Sequence, residues 1–393
     1  MAKQGKAKIM REITVVTGTR AEYGMLKPLL EKIRSSSDLA LKLVVTGMHL
    51  LEKCGLTINE IKEDGFEITD KVQMYLGDES DPAYHGKALA KGIEGFTQLL
   101  MRIGPRILVV TGDRLEALAA AVAAATLNIP IAHIHGGDKT DSGHIDEPIR
   151  HSITRFAHIH FPPTREHTDR LIKMGEEPWR VFQVGALGLD SILNQKPIAK
   201  QTLSKQLGIN PNEKIITCIF HPVLLEKESM GSQMHEILES VSALKTQTVV
   251  IYPNNDAGSH SIISEIERYK DLPFIRALRN LPHIQYISLL KHADVLIGNS
   301  SSGIIEAPSL KLPVINIGSR NTGRQHAENV IFVNTVKKEI INAIQIALYD
   351  EDFNEKVRQC KNPWGDGKTS GRIVRILSEA VIDKKLLQKR ITY

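Results

Sequence analysis

The sequence predicts an α/β protein of two Rossmann-like domains, open parallel sheets wound by helices and facing a central cleft. Three observations predict it. A chain of 393 residues has room for two cores of ordinary size. Short β-branched runs recur, each followed by a turn and then by apolar residues at three- and four-residue steps, the mark of parallel strands joined by crossover helices. That alternation stops in a polar stretch, Asn194 to Ala199, and then starts afresh.

In the first half, strands are expected at 12–17 (EITVVT), 41–46 (LKLVVT), 107–111 (ILVVT), 131–134 (IAHI) and 181–184 (VFQV). Helices are expected at 25–34, 84–101, 114–127 and 145–157. In the second half, strands are expected at 214–220 (KIITCIF), 248–252 (TVVIY), 294–297 (DVLI) and 313–317 (PVINI). The domains are therefore drawn at 1–193 and 200–371, with a helical segment at 372–393 able to return to the first. Open parallel sheets bind ligands at the carboxyl ends of their strands, so two facing sheets share one cleft.

Composition narrows the function. Hydrophobic residues are 42% and charged residues 24%, an ordinary globular balance. No run of about 18 apolar residues is present, and MAKQGKAKIM lacks the apolar centre of a signal peptide, so a cytoplasmic protein with no membrane partner is expected. The net charge of +5 is outweighed by three lysines in the first ten residues plus Lys384, Lys385, Lys389 and Arg390. The body is not basic, which argues against nucleic acid. Cys54, Cys218 and Cys360 are an odd number without metal spacing and read as reduced thiols.

Four strand ends carry the candidate chemistry. Thr17 to Gly24 (TGTRAEYG) joins a strand to a helix, where free N–H groups and the Arg20 fork suit a phosphate, although a plain surface turn explains it as well. Thr111-Gly112-Asp113-Arg114 puts a carboxylate at the mouth of an apolar strand, for catalysis or as a helix cap. His133-Ile134-His135-Gly136-Gly137-Asp138 sets two histidines one residue apart on a strand, pointing the same way. Histidines 144, 151, 158 and 160 follow without a metal pattern, so no metal and no cofactor is expected. The paired glycines suggest backbone close to a ligand, with Asp146 and Glu147 facing it from a helix start; the alternative is that these carboxylates only favour the helix dipole.

In the second half, His221-Pro222 follows a strand as a phosphate donor, a general acid or a satisfied core histidine. The segment from Gly298 to Ala307 (GNSSSGIIEA) sets small residues before a helix, where N–H groups, hydroxyls and the helix dipole suit a diphosphate. Glu306, one turn later, can accept from ribose hydroxyls. An ordinary serine cap is the alternative.

Taken in order, TGTRAEYG, VVTGDR, HIHGGD, IDEPIRHSITRFAHIHF, HPV, PNNDAG, IGNSSSGIIEAP and NIGSRNTGRQHAENV resemble the UDP-N-acetylglucosamine 2-epimerases through nearly the whole chain. They are most similar to the hydrolysing branch that feeds sialic and legionaminic acid synthesis. The resemblance implies the two-domain nucleotide-sugar fold that many glycosyltransferases share (GT-B), with UDP held mainly by the second domain, and a homodimer or homotetramer. It implies UDP contacts from Arg20, Asn254, Ser301, Ser302, Glu306 and Arg320. His221 then lies near the phosphates, while Arg114 and Gly303 line the substrate site. Asp113, Asp146 and Glu147 become the acid/base carboxylates. Well-studied relatives have a glutamate before the paired glycines where this chain has His135, so one acid/base group differs. The implied reaction removes the hydrogen at sugar carbon 2, expels UDP, adds water at carbon 1 and returns a proton to the opposite face of carbon 2. Competing readings are a glycosyltransferase on the same fold, a non-hydrolysing epimerase and a nucleotide-sugar sensor. A UDP-2,4-diacetamido-2,4,6-trideoxyglucose or GDP-linked substrate also fits the motifs.

Overall fold

A computed structural model describes residues 10–78, 81–139, 145–253, 258–279 and 281–393. The chain divides into two compact units, the first comprising Met1–Asp138, Ile145–Ser191 and Gly367–Tyr393, the second Lys139–His144 and Ile192–Asp366.

The first unit holds β1 (Arg11–Thr17), β2 (Leu39–Thr46), β3 (Ile68–Val72), β4 (Ile107–Thr111), β5 (Ile131–Ile134) and β6 (Ile159–Phe161). They form one sheet in the order β3-β2-β1-β4-β5-β6, and every pairing is parallel. All five residues of β4 are buried, because helices cover both faces of a parallel sheet and leave no side for polar alternation. The helix Leu115–Thr126 buries six alanines, and that small face lets it lie against its neighbour, Tyr84–Ile103. Thr19 starts the helix Arg20–Arg34 by accepting from the Glu22 N–H at 3.3 Å.

The second unit repeats the plan with β7 (Ile216–Ile219), β8 (Thr248–Ile251), β9 (Ile275–Leu278), β10 (Val295–Gly298), β11 (Val314–Ile317) and β12 (Val330–Val333). Their order, β12-β11-β10-β7-β8-β9, is the same doubly wound arrangement, again all parallel. In each unit the strand order reverses between the first and fourth strands. Those are β1 and β4 in one unit and β7 and β10 in the other, and a doubly wound sheet takes its ligand at such a point.

Two expectations about elements change. Residues 181–184 are not a strand, since only Val181 bridges, to His160, after the turn Pro178–Arg180. Four strands escape the sequence pattern: β3, β9 and β12 are edge strands interrupted by polar or exposed residues, and β6 has only three residues. The last stretch is two helices, Thr369–Glu379 and Lys384–Leu387, on the first unit. The Asp190 carboxylate accepts from the N–H groups of Thr369 and Ser370 at 2.8 and 2.6 Å, capping the longer helix from another element. Ile373, Leu377 and Leu386 then join the core formed by β1, β2 and the helix Arg20–Arg34.

Candidate active site

At the first unit's reversal point, charged groups converge on a buried cation. Arg150, 3% exposed, lies in the helix Asp146–Phe156. Its Nε donates to Asp113 Oδ2 at 2.9 Å, and its Nη2 donates to the same oxygen. Its Nη1 donates to Glu147 Oε2 at 2.6 Å and to the Asp138 carbonyl at 3.1 Å. Burial opposes this charge, but Asp113, Asp138 and Glu147 more than offset it and hold the guanidinium protonated. One rigid fork therefore orients a carboxylate from the end of β4 and another from the arginine's own helix. His151 Nε2, one turn further on, donates to the other oxygen of Glu147 at 2.9 Å.

A second carboxylate group lies beside β1. Glu116, 2% exposed, packs beneath the turn after β1, where a Cβ on Gly18 would meet its Cγ at 2.8 Å, and faces Arg114 Nε at 3.4 Å. Burial first, then Glu116, push the Glu22 carboxyl up to about 8, so Glu22 holds a proton at neutral pH. Burial works against the charge of Arg114, but Glu116 first and then Asp146 outweigh it and keep it positive. Arg20 is paired with Glu60, Nε to Oε1 at 2.9 Å, so an anion reaching Arg20 competes with that carboxylate.

The histidine motif needs correcting. His133 ends its role inside the sheet: it is fully buried, donates from Nε2 to the Gly112 carbonyl at 2.7 Å, and is pushed down to about 3 by burial. His135 lies past the end of β5 with φ of 65°, so strand alternation does not apply and the two rings do not share a face. Its Nε2 accepts from the Leu187 N–H at 3.1 Å. The paired glycines also serve packing: a Cβ on Gly137 would meet the His167 carbonyl at 2.6 Å, and one on Gly136 would meet His133 Nδ1 at 3.0 Å.

The second unit's reversal point is built from amides and hydroxyls. Asn299, 1% exposed, accepts from the His221 N–H at 2.6 Å and donates to the His221 carbonyl at 2.8 Å, tying the ends of β7 and β10 together. Arg320 Nη1 and Asn321 Nδ2 both donate to the Asn299 carbonyl at 3.0 Å. Burial, then Arg320, push His221 down to about 3, so its ring is neutral and can donate a hydrogen bond but is a poor general acid. Gly298 has φ of 120°, and any side chain there would fall on the Ile219 carbonyl.

The helix expected after the serines is a single turn, Ser302–Ile305, followed by another, Ala307–Leu310. Pro308 has no N–H to continue the ladder, and the Ile305 carbonyl turns to Asn362 Nδ2 at 2.8 Å. So short a turn carries little dipole, and anion binding here depends on local donors. Gly303 donates its N–H to Ser300 at 3.1 Å and packs on Val314, where a Cβ would lie at 2.7 Å, so its role is close packing. Ser301 begins the turn as its N-cap residue. Tyr286 donates to the Ser302 Oγ at 2.5 Å, and Ser302 in turn hydrogen-bonds Glu306. Burial pushes Glu306 up to about 7, and its Oε2, closed to solvent, has no hydrogen-bond partner among the described residues. Asn254 and His144 lie outside the described residues.

The family model for UDP-N-acetylglucosamine 2-epimerase matches residues 31–378. The chain belongs to that family. It is 38% identical over 385 residues to the hydrolysing UDP-N,N'-diacetylbacillosamine 2-epimerase of Legionella pneumophila, covering 98% of this chain and all of that one. It is 36% identical over 379 residues to the polysialic acid biosynthesis protein P7 of Escherichia coli, 95% of each chain. The crystal structure of UDP-GlcNAc 2-epimerase from Neisseria meningitidis bound to UDP-GlcNAc superposes with a TM-score of 0.81 at 20% identity, over 94% of this chain and 100% of that one. That likeness is one of fold, the two-domain nucleotide-sugar architecture. Sequence reasoning selected Asp113, Asp146 and Glu147 in this epimerase-family chain but passed over Arg150, Glu116, Asn299 and Tyr286. The Glu147-to-Arg150 spacing of three on a helix was the available signal for Arg150; Tyr286 had none.

Proposed function

We propose that this epimerase-family chain hydrolyses a UDP-linked 2-acetamido sugar, inverting carbon 2 and releasing UDP. The observation that carries the reading is the Arg150 fork holding Asp113 and Glu147 at the end of β4, inside a chain of this family. The second unit binds UDP, with Ser301, Arg320 and the neutral His221 ring as phosphate donors and Glu306 as acceptor for ribose hydroxyls. Asn254 belongs with them by motif. Arg20 and Arg114 belong with the substrate-binding residues by motif.

Asp113, Asp146, Glu147 and His135 are the candidates for moving protons. A carboxylate takes the hydrogen of carbon 2, the released electron pair forms the double bond to carbon 1, and the bond from carbon 1 to the UDP oxygen breaks. Water then adds at carbon 1, and a second group returns a proton to carbon 2 on the other face. Relatives named for UDP-N,N'-diacetylbacillosamine support a 2,4-diacetamido substrate as a second reading, and with it a place in nonulosonic (sialic or legionaminic) acid synthesis. A cytoplasmic homo-oligomer is part of the proposal; among the described residues no helix is long and apolar enough to cross a membrane.

Incubation with UDP-N-acetylglucosamine or its 2,4-diacetamido analogue, in deuterated water and without an acceptor, tests this. UDP and a free manno-configured sugar carrying deuterium at carbon 2 are expected. A glycosidic product that requires an acceptor, or a sugar without deuterium, overturns it. The ratio of kcat/KM values across nucleotide sugars assigns the substrate.

A further inference from the structure

Glu306 is a carboxylate approached from three elements. Tyr286 comes from the helix His283–His292, Ser302 sits one turn before it, and Arg324 faces it from the segment after β11. The hydrogen bonds among them run in one direction. The Tyr286 phenol donates to Ser302 Oγ at 2.5 Å, and the Ser302 hydroxyl bonds the Glu306 carboxyl. Having accepted from Tyr286, the Ser302 oxygen turns its single hydrogen toward the carboxylate. That hydrogen is not available to a phosphate.

We infer that Tyr286 is a positioning residue for nucleotide binding, acting through the Ser302 hydroxyl to hold Glu306 as an ionised acceptor for the vicinal hydroxyls of a ribose, on the UDP-binding reading of this unit. The observation beside the relay is that Glu306 Oε2 lies out of solvent without a hydrogen-bond partner among the described residues. A carboxylate so placed needs donors, and a ribose diol supplies two. Burial alone favours the protonated carboxyl, while Ser302 and Arg324 work against that tendency. Burial raises the Tyr286 pKa, with Glu306 adding to it, so the phenol remains a donor throughout the working range.

The test is the Kd of UDP and of 2′,3′-dideoxy-UDP, measured by calorimetry on the full chain between about pH 5.5 and about pH 9. Their ratio isolates the diol, because phosphate ionisation is common to both. In the native protein the preference for UDP should grow as pH rises through neutrality, changing by about tenfold. Ser302→Ala removes the hydrogen bond that favours the ionised carboxylate. The rise then moves to higher pH, and the preference at neutral pH falls several-fold. Tyr286→Phe should move it in the same direction, Glu306→Gln should abolish the pH dependence, and Tyr286→Phe with Ser302→Ala should be no worse than Ser302→Ala alone. If Tyr286→Phe keeps the native ratio at every pH, or weakens both nucleotides equally, the relay is overturned while UDP binding stands. If the native chain binds no UDP, the UDP-binding reading falls and the relay with it.

Discussion

The two reversal points share a topology and differ in chemistry. At the ends of β1 and β4, Asp113, Glu147, Glu116 and Glu22 gather around Arg150 and Arg114. At the ends of β7 and β10, amides of Asn299 and Asn321 and a neutral His221 make the structure, with Arg320 as the cation. The first arrangement suits proton transfer, since carboxylates held at different charge states can give and take protons. The second suits holding an anion, since preset dipoles do so without adding a competing negative charge. Equivalent loops of one fold thus carry different chemistry, which is what the proposed division between proton transfer and nucleotide binding rests on.

The largest expected effect breaks the comparison on its catalytic side. Asp113→Asn should lower turnover by roughly 10²- to 10⁴-fold while leaving the Kd of UDP within a factor of about two. Full activity in steady-state assays removes Asp113 from the chemistry. Next, the two loops should differ in tolerance for a methyl group. Gly298→Ala forces a side chain onto the Ile219 carbonyl at φ of 120° and should cost about 3 kcal/mol or more. Gly112→Ala has φ of 70° with nothing within 4 Å, and should cost only about 1–2 kcal/mol by urea unfolding. Equal costs would show that the second loop has room to shift.

Asn299→Ala removes the double hydrogen bond to the His221 backbone. It should destabilise by about 2 kcal/mol and weaken UDP binding, with a smaller effect on any proton exchange at carbon 2. The remaining effects are on pH dependence, and here the two regions have opposite signs. Glu22 is raised from 4.5 to about 8, so its contribution to stability is complete below about pH 4.5 and is lost as pH rises to about 8. His221 is lowered from 6.5 to about 3, so its contribution is present above about pH 6.5 and is lost as pH falls toward 3. Denaturation midpoints across pH for Glu22→Gln and His221→Gln should flatten the alkaline and the acid limb respectively. If both substitutions change the same limb, the assignment of charge states is wrong.

Much of the fold could be read from residue order. The central strands β1, β4, β7, β10 and β11 are rich in β-branched and apolar residues that helices cover on both sides, so burial leaves a mark in composition. The edges leave a weaker mark. ITDKV in β3 and IRAL in β9 have only one paired side and carry charges there, which the pattern reads as loop. The candidate residues at strand ends were legible because a doubly wound sheet places ligands there whatever the ligand. Their partners were not: Arg150 meets Asp113 across 37 residues, and Tyr286 meets Ser302 across 16.

By itself, the order of residues determined where strands alternate with helices, that the alternation occurs twice, and which loops carry acids, amides and hydroxyls. Those properties depend on neighbours a few positions apart, and local periodicity records them. Tertiary structure alone decided that Arg150 joins two acids, that His133 is a sheet residue while His135 bends away, and that Gly367–Tyr393 belong to the first unit. Each depends on groups distant in sequence sharing one desolvated space, where charge, proton position and hydrogen-bond direction are set by which neighbours arrive together.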